Sequence, residues 1–363
     1  MAYTLERRQE KSGIYERKTG ISVDNKEKYE IFCQKTYVPI YSKPWWLDAV
    51  CGKDNWDVWL YEKEEEIFAA MPYYMERRGE YRYITKALLT QNNGIIFNYP
   101  EGAKNIARQK FEEKVIDAAC EFIEGIKLDV YEQQYHYGFD NWLPFYWNKY
   151  EAITRYTYVL EDLKDLEAVW LNISSKYRRG IKKGMKNGVF HRGLDYKIFY
   201  QEHEKVFLKQ GLECPFSFKQ WERIYTACRE HGAGEILYAN DKEGNIASVL
   251  FLIWDEQSVY HLLGGNIPEF QRLETYDALV WEGIKFASQK GLKYDFEGSM
   301  IKRISKSFRE FGGNPMPYFR IRKVFHPEIM REETEKKIRE SGVAILKENV
   351  RCNSEICKDN IRC

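Results

Sequence analysis

The sequence predicts an α/β fold, in which helices pack on a mixed β-sheet, and it predicts two domains. The chain has 363 residues, which is long for one hydrophobic core. Hydrophobic residues make up 44% of it, as is typical of a globular protein. Residues 246–324 follow the order strand, strand, helix, strand, helix, strand, which indicates a sheet covered by helices.

The predicted domains cover residues 29–153 and 154–325. A polar lead-in, residues 1–28, precedes them, and a polar helix and tail, residues 326–363, follow. The element order suggests that the second half repeats the first, although no sequence repeat is visible. The alternative to two domains is one continuous mixed sheet.

Composition and charge exclude several classes of protein. The 56 Lys and Arg residues balance 55 Asp and Glu residues, and the net charge of +1 gives no global field for nucleic acid. We therefore expect no DNA partner. The N-terminal residues are polar and lack the apolar core of a signal peptide. No window approaches the roughly 20 apolar residues of a transmembrane helix, so we expect a cytoplasmic protein.

The eight cysteines include no C-x-x-C pair, and reduced thiols are expected in a cytoplasmic protein. Three of them, Cys352, Cys357 and Cys363, lie in the tail and could bind a metal. Their spacings are wide and no histidine lies near them, so no metal site is predicted.

Local signals mark the elements of the first half. Pro44 suits the first turn of a short helix that carries Trp45 and Trp46. Apolar residues recur at helical spacing over residues 104–126, which predicts a long helix. Pro72 predicts a bulge or an edge position inside a strand. The predicted strands cover residues 56–62, 66–76, 94–98 and 128–131.

The second half shows the same rhythm. The sequence DKEGN at residues 241–245 is the most explicit hairpin signal in the chain. Strands are predicted at residues 156–160, 235–240, 246–254 and 258–263. Helices are predicted at residues 163–187, 201–210, 218–231 and 272–290, and residues 196–200 are a short strand or a helix start.

Residues 294–323 carry the densest functional signals. A short strand, residues 293–296, ends in the acidic corner Glu297-Gly298-Ser299. A basic amphipathic helix follows, with apolar residues from Ile301 to Phe311 at helical spacing, and glycines end it. A final strand is predicted at residues 318–324. Such a corner can build a polar site on a rigid edge, or it can simply cap the helix.

Three stretches resemble a known family: YDFEGS…SFREFGG…YFRIRK, WLNISSKYRRGIKKGMKNGV and PIYSKPWWLDAVCGKDNWDV. Together they resemble the GNAT acyltransferase superfamily. The similarity is greater to its Fem-type branch, the methicillin-resistance or peptidoglycan-bridge aminoacyltransferases and the FemAB-like relatives found with polysaccharide genes. The resemblance covers roughly residues 29–325. It implies tandem GNAT-like domains with a substrate cleft on or between them, and acyl-CoA or aminoacyl-tRNA as donor.

One departure from the family pattern concerns the donor. GNAT enzymes hold the CoA pyrophosphate with a glycine-rich Q-x-x-G-x-G/A loop at a helix N-terminus. The corresponding stretch here, EFQRLETYDALVWEG, keeps Gln271 and Arg272 but replaces the glycines, and Glu274 would repel phosphate. Ordinary CoA binding is therefore in doubt, and no tightly bound cofactor is expected.

Acyl transfer to an amine requires a neutral amine, a polarised carbonyl and close positioning. Glu297 and Asp295 flank Phe296 on the predicted strand and are candidates for accepting the proton of the amine. The alternative is that Asp295 is a buried hydrogen-bonded acid and Glu297 a cap. His261 is a candidate base or a structural histidine, and Tyr260 beside it is a candidate substrate contact.

Ser299 could orient the substrate or cap the following helix. In the predicted helix 163–187, Arg178, Arg179 and Lys183 belong to two basic stripes that could bind a diphosphate or a tRNA backbone. A solvated helix face is the alternative. Loops of the first half place Trp45, Tyr73 and Gln91 as candidates for the wall of an acceptor pocket, with core packing as the alternative for the tryptophan.

These observations lead to one functional hypothesis and one rival. The hypothesis is an acyltransferase that moves an N-acyl or aminoacyl group to an amine of a cell-surface glycan or peptidoglycan precursor. Its partners would be a small-molecule, lipid-linked or nucleotide-linked sugar acceptor and, for an aminoacyl donor, tRNA. The rival is a catalytically inactive GNAT-like module that binds a glycan or a nucleotide sugar.

Overall fold

The computed structural model describes residues 24–340 except residues 65 and 210. Most of the predicted lead-in, the end of the tail and its three cysteines lie outside these residues. Within them, one sheet carries the strands β1 Trp56–Lys63, β2 Glu66–Arg78, β3 Tyr81–Thr85, β4 Ile96–Phe97, β5 Val130–Gln134, β6 Glu151–Leu160, β7 Val189–Arg192, β8 Gly234–Asn240, β9 Ile246–Trp254, β10 Ser258–Asn266, β11 Lys293–Asp295 and β12 Asn314–Val324.

Helices cover both faces of this sheet. They are α1 Asn25–Lys35, α2 Pro44–Cys51, α3 Asn105–Gly125, α4 Leu143–Trp147, α5 Leu166–Asn172, α6 Ser175–Asn187, α7 Tyr196–Leu208, α8 Phe218–Glu230, α9 Thr275–Lys290, α10 Lys302–Glu310 and α11 Pro327–Glu340. Two 3-10 turns, Ile40–Ser42 and Pro268–Leu273, connect elements. The mixed α/β fold is therefore confirmed.

Both halves of the chain build the same unit. An antiparallel meander of three strands is followed by a long helix and by a strand parallel to the last strand of the meander. In the first half this unit runs β1-β2-β3-α3-β5, and in the second half it runs β8-β9-β10-α9-β11. The repeat inferred from element order is therefore present in the backbone.

The final strand of each half lies beside the other half. The strand order is β1-β2-β3-β5-β12-β6-β11-β10-β9-β8-β7, with β4 on β2. Thus β12 pairs with β5, and β6 pairs with β11. The two exchanged strands also pair with each other from Asn314↔Val159 to Arg322↔Glu151. The predicted boundary between residues 153 and 154 falls within β6, and the division into two domains stays a prediction.

Two predicted elements differ from the structure for local reasons. The helix expected over residues 163–187 is two helices, because Ile173 is extended and the Ser174 hydroxyl accepts the Tyr177 N–H as the cap of α6. The last strand begins at Asn314 rather than residue 318, although prolines occupy positions 315 and 317. Residues 196–208 form one helix, which the Asp195 carboxylate caps.

Each half has its own hydrophobic interior between the sheet and the helices that cover it. In the second half, α6 and α9 pack on one face around Ile181 and Tyr294, and α7 and α8 pack on the other around Phe199 and Trp221. In the first half, α3 covers one face of the sheet. In the described part of the chain, no helix has the length and apolar composition needed to cross a membrane.

Close packing of α6 on α9 predicts that Gly184 tolerates no larger residue. A Cβ at Gly184 would lie 2.3 Å from the carbonyl oxygen of Glu274, which is backbone and cannot move aside. We expect Gly184→Ala to lower the free energy of unfolding by roughly 1–3 kcal/mol, as overpacking does. Gly125→Ala, at the end of α3 with open space around it, is the matched control and should be neutral or stabilising. Chemical denaturation measures both, and equal effects would contradict this account.

Candidate active site

A cavity opens where the parallel strands β10 and β11 separate. The two strands pair only from Ser258↔Lys293 to Tyr260↔Asp295. Beyond this point β10 continues along β9 to Asn266, while the chain after β11 turns away through Glu297 and Gly298. The gap between them leads into a cavity of about 740 Å³. A volume of this order holds a small-molecule substrate.

The cavity has an apolar wall and a polar end. The wall is formed by the cavity-facing side of α10 and by the residues that directly follow β11 and α10. It includes Phe296, Ile304, Phe308 and Phe311. Ile304, Phe308 and Phe311 belong to the predicted apolar helix stripe, whereas Ile301, which was also predicted there, precedes α10 and is 60% exposed. The polar end carries side chains that could hold and deprotonate a substrate: His261, Tyr276, Asp277, Glu297 and Arg303.

The acidic corner is held rigidly between the halves. Asp295 is fully buried, and its Oδ1 accepts hydrogen bonds from the Thr157 hydroxyl and from the Glu297 N–H, the latter at 2.8 Å. The Gln91 amide donates to the Glu297 carbonyl oxygen. Gly298 has a φ of +65°, and a Cβ there would lie 2.2 Å from the Tyr156 carbonyl oxygen. The corner is therefore fixed by contacts from β6 and from the first half.

Glu297 combines a special backbone with an unpaired carboxyl group. Its φ of +67° is unusual for a residue with a side chain and turns the chain out of β11. Its Oε1 is inaccessible and has no hydrogen-bond partner within the described residues. Burial raises the pKa of Glu297 well above its ordinary value, which favours the neutral form of the carboxyl group. A neutral acid with an open lone pair is suited to meet a polar ligand group.

Asp295 and Asp277 are also perturbed. Burial raises the pKa of Asp295 to about 6, against the lowering effect of the Thr157 hydrogen bond. Burial, and then the charge of Glu274, raises the pKa of Asp277 to about 6. The Oδ2 of Asp295 also lacks a partner in the described residues. Asp295 therefore has the surroundings of a buried hydrogen-bonded acid, which was the alternative to a role in proton transfer.

His261 lies between two tyrosine hydroxyls. Its Nε2 is 2.7 Å from the Tyr276 hydroxyl, and its Nδ1 is 3.1 Å from the Tyr294 hydroxyl. Burial lowers the pKa of His261 to about 4, so the imidazole is neutral, donating to one hydroxyl and accepting from the other. It is a weak base at neutral pH, and its contacts orient Tyr276 at the cavity surface.

The basic helix α6 borders a second cavity of about 530 Å³, which shares Tyr177, Asn266, Gln271 and Asp277 with the first. Arg179 and Lys183 line it, and the Lys183 Nζ lies 3.1 Å from a Glu274 carboxylate oxygen. Arg178 does not line it. Its guanidinium donates to the carbonyl oxygens at the end of α5, at 2.8 Å for Leu171.

Carboxylates occupy the start of α9, where a GNAT pyrophosphate loop would lie. Glu274 precedes the helix with a φ of +60°. A Cβ at Gly180 of α6 would lie 3.2 Å from a Glu274 oxygen and 3.3 Å from an Asp277 oxygen, so both acids face that helix. Negative charge at a helix N-terminus opposes phosphate. The residues present do not fit the ordinary CoA pyrophosphate cradle.

Four of the other predicted site residues lie away from the lining of the 740 Å³ cavity. The Ser299 hydroxyl accepts the Ile301 N–H at 3.1 Å, which is a local turn contact. Tyr260 is fully buried on the opposite face of β10 and donates to Asp255 at 2.8 Å. Trp45 stacks on the His231 ring, and Tyr73 borders a separate cavity of the first half. Their binding roles stay predictions.

Sequence reasoning did not single out Tyr276 or Thr157 as site residues. Tyr276 lies in the stretch that was considered only for its missing glycines, and its contact with His261 arises from packing of α9 on β10. Thr157 reaches Asp295 because β6 of the first half pairs with β11 of the second. The usable sequence signal for Thr157 is the alternation of residues in β6, which places Thr157 and Val159 on the same face of the sheet.

Residues 172–302 match the family model of the acetyltransferase (GNAT) domain. The chain carries a GNAT domain. It includes the basic helix α6, the splayed strands β10 and β11 and the acidic corner. A search of the curated proteins finds no match to this chain.

Solved structures are similar to this chain over both of its halves. FemX is similar over 82% of this chain and 96% of its own, with 13% sequence identity and a TM-score of 0.62. A conserved protein of unknown function from Bacteroides thetaiotaomicron is similar over 80% and 96%, with 10% identity and a TM-score of 0.51. The C-terminal domain of a putative lysylphosphatidylglycerol synthetase from Agrobacterium fabrum is similar over 86% and 96%, with 11% identity and a TM-score of 0.50. These likenesses establish the fold, which is tandem and GNAT-like.

Burial of the Asp295 carboxyl group predicts a specific pH dependence of stability. Because its pKa is raised, the folded state keeps the proton between about pH 4 and pH 6, where the unfolded state loses it. Its contribution to stability therefore falls as pH rises through this window, by on the order of 2–3 kcal/mol, and is constant above it. In Asp295→Asn this loss is absent, so the unfolding free energy of the variant minus that of the wild type should rise from pH 4 to pH 6.

Asp241→Asn is the contrasting control. The Asn245 side chain lowers the pKa of Asp241, so this carboxyl group titrates at or below about pH 4 and the same difference should change little between pH 4 and pH 6. Denaturation across this pH range measures both variants. A difference for Asp295→Asn that does not change with pH would contradict the neutral buried state of that carboxyl group.

Proposed function

We propose that the protein is an acyltransferase that transfers an N-acyl or aminoacyl group to an amine of a cell-surface glycan or peptidoglycan precursor. The observation that carries this proposal is the unpaired carboxyl group of Glu297 in the gap between β10 and β11 of a GNAT domain. An amine that enters the gap meets this group, and the carbonyl of a donor can approach through the adjoining cavity.

The proton balance of this reaction is consistent with a raised Glu297 pKa. An ammonium group that binds beside Glu297 favours the carboxylate, so the resting proton leaves to solvent as the acceptor binds. The carboxylate then takes one proton from the bound ammonium group, which frees the nitrogen lone pair to form its bond to the donor carbonyl carbon. Because burial makes this carboxyl group more basic than an exposed one, the transfer is less uphill. When the tetrahedral intermediate collapses, the bond to the leaving group breaks, the second proton of the attacking nitrogen passes to that leaving group, and Glu297 returns its own proton to solvent.

Tyr276 and the basic helix supply two further functions in this proposal. The Tyr276 hydroxyl, held by His261 at 2.7 Å, lines the cavity and is the proton donor proposed for the leaving group. Arg179 is proposed to hold a phosphate of the donor or the acceptor in the adjoining cavity, where Lys183 neutralises the Glu274 carboxylate that would otherwise oppose the phosphate.

The donor is proposed to be an aminoacyl-tRNA or an acyl-CoA bound in a manner different from the usual one. The acidic start of α9 supports the former, because Glu274 and Asp277 occupy the position of the phosphate cradle. One structurally similar protein is described as a putative lysylphosphatidylglycerol synthetase, a name that implies transfer of an aminoacyl group. The rival function is a GNAT-like module that binds a glycan or nucleotide sugar without catalysis.

Glu297→Gln tests the catalytic proposal. A panel of acyl-CoA and aminoacyl-tRNA donors is incubated with amine-bearing nucleotide sugars and peptidoglycan precursors, and products are measured by mass spectrometry. For the pair that reacts, we expect Glu297→Gln to lower kcat by roughly 10²–10⁴-fold with KM nearly unchanged, because a glutamine amide cannot accept the proton. Glu269→Gln, at an exposed acid in the 3-10 turn before α9, should leave kcat unchanged.

If Glu297→Gln keeps full turnover, Glu297 does not accept the proton in this reaction. If native mass spectrometry shows that an acceptor binds, and no donor in the panel gives product, the binding module is supported instead.

We expect the two neighbouring arginines of α6 to differ in role, one in phosphate binding and the other in stability. We expect Arg179→Gln to weaken binding of inorganic pyrophosphate by about 1.5–3 kcal/mol and to reduce its salt dependence, because a charge-assisted contact is lost. Arg178 was predicted to bind phosphate as well, but its guanidinium contacts carbonyl oxygens of α5. Arg178→Gln should therefore lower the unfolding free energy and change binding little. Calorimetry and denaturation of both variants test this, and a stronger binding loss in Arg178→Gln would reverse the assignment.

A further inference from the structure

The first half has its own counterpart of the gap between β10 and β11. In the repeated unit, β3 and β5 are the parallel strands that correspond to β10 and β11. They pair only at Tyr83↔Val130 and Ile84↔Tyr131. Beyond these pairs β3 ends, while β5 continues to Gln134. The two halves therefore reach the same point of the fold, but they use it differently.

In the first half, the chain itself fills this gap. The connection after β3 returns to the end of β5, where Asn93 forms a parallel bridge with Tyr135. The Asn93 N–H donates to the Gln134 carbonyl oxygen at 2.7 Å. Gly94 lies directly on the Tyr135 ring, since a Cβ there would lie 2.6 Å from a ring carbon. The place that holds a cavity in the second half is thus occupied by protein in the first.

Residues 90–93, which we call the gap segment, are all buried and are anchored at both ends in the first half. The Thr90 hydroxyl accepts the indole N–H of Trp46 at 2.9 Å. The Asn93 amide donates to the Tyr41 carbonyl oxygen at 2.7 Å. Buried polar groups that find partners make a segment rigid.

The middle of the gap segment reaches the acidic corner of the second half. The Gln91 amide nitrogen donates to the Glu297 carbonyl oxygen. At the other end of the same amide, the Gln91 Oε1 accepts a hydrogen bond from the Asn92 amide at 3.2 Å. Because Asn92 holds the oxygen, the nitrogen of Gln91 is directed at Glu297. Gln91 is only 7% exposed, so its amide is committed to these protein contacts.

Glu297 has a backbone that requires such restraint. A residue with a side chain and a φ of +67° is strained, and it persists where its surroundings fix it. Its N–H donates to the Asp295 Oδ1 at 2.8 Å, and its carbonyl oxygen accepts from Gln91. Side chains from both halves therefore hold the two backbone polar groups of this one residue. Without the Gln91 contact, the backbone could relax and carry the carboxyl group toward solvent.

We propose that Gln91 is a positioning residue, which holds the Glu297 backbone so that the carboxyl group stays buried at the edge of the cavity. The gap segment would then be the means by which the first half takes part in the reaction of the second. The effect on catalysis rests on the proposed function of Glu297, whereas the positioning itself rests on the hydrogen bonds of Gln91.

Titration of the Glu297 carboxyl group tests this role without requiring turnover. The full chain is labelled with glutamate that carries ¹³C at the side-chain carboxyl carbon, and the Glu297 signal is the one that disappears in Glu297→Gln. Gln91→Met keeps the length of the side chain but removes the amide. We expect it to lower the pKa of Glu297 by about one pH unit or more, because a carboxyl group that reaches water loses the desolvation that raises its pKa.

The neighbouring charged and titratable groups are the same in the wild type and the variant, so a lower pKa reports exposure of the carboxyl group. They include His261, Tyr276, Asp277 and Arg303 in the cavity and Asp295 and Tyr318 beside the corner.

Gln133→Met is the matched control. Gln133 is also buried in the first half, and its amide donates to the Pro72 carbonyl oxygen at 3.0 Å. The same substitution removes the same kind of bond there without touching the corner, so the pKa of Glu297 should not change. If Gln91→Met does not fold, Gln91→Asn keeps an amide that is too short to reach Glu297, and it should lower the pKa as well.

For a donor and acceptor that react, Gln91→Met should lower kcat by roughly ten-fold or more with KM nearly unchanged. The pH dependence of kcat should also move to lower pH, which a mere loss of stability does not cause. A Glu297 pKa that is unchanged in both Gln91 variants, or that falls equally in Gln133→Met, would overturn the positioning role. Because the titration is measured without substrate, a failed positioning role and a failed Glu297 mechanism give separate results.

Discussion

The structure depends on the early end of the parallel pairing between β10 and β11. Backbone N–H and C=O groups of a strand interior need partners, and β10 finds them on β9 after it leaves β11. The chain after Asp295 is therefore free to turn, and Glu297 and Gly298 both adopt a left-handed backbone conformation there. The same separation creates the cavity and places the acidic corner at its edge. Fold and candidate site therefore share one physical origin.

Around this gap, acidic residues are concentrated at the acidic corner and at the start of α9. Burial raises the pKa values of Asp295 and Glu297 at the corner, and Glu274 and Asp277 face the basic helix α6. A raised pKa makes a carboxylate a stronger base, which suits the proton transfer proposed for Glu297.

The sequence predicted the elements best where the signal is local. The long helix over residues 104–126 was found as Asn105–Gly125, because its apolar stripe alone determines it. The β12 start was missed because Pro315 and Pro317 argue against a strand, yet both positions lie in the register with β6. Tyr260 was placed in the site because alternation does not reveal which face is core. The contact between Gln91 and Glu297 joins distant parts of the chain, and only the tertiary fold creates it.

The exchange of β6 and β12 also constrains how the chain can fold during synthesis. Strand β5 gains its second neighbour, β12, only when that strand has been synthesised, because Gln133 of β5 pairs with Ile321 of β12. Until then the first half exposes an unpaired edge of backbone donors and acceptors, the kind of edge that recruits foreign strands. Closing contacts of such long sequence separation makes folding slow, and domains that normally form one after another on the ribosome are here completed together. A chain that ends before β12 would therefore leave β5 and β6 without the strand that lies between them.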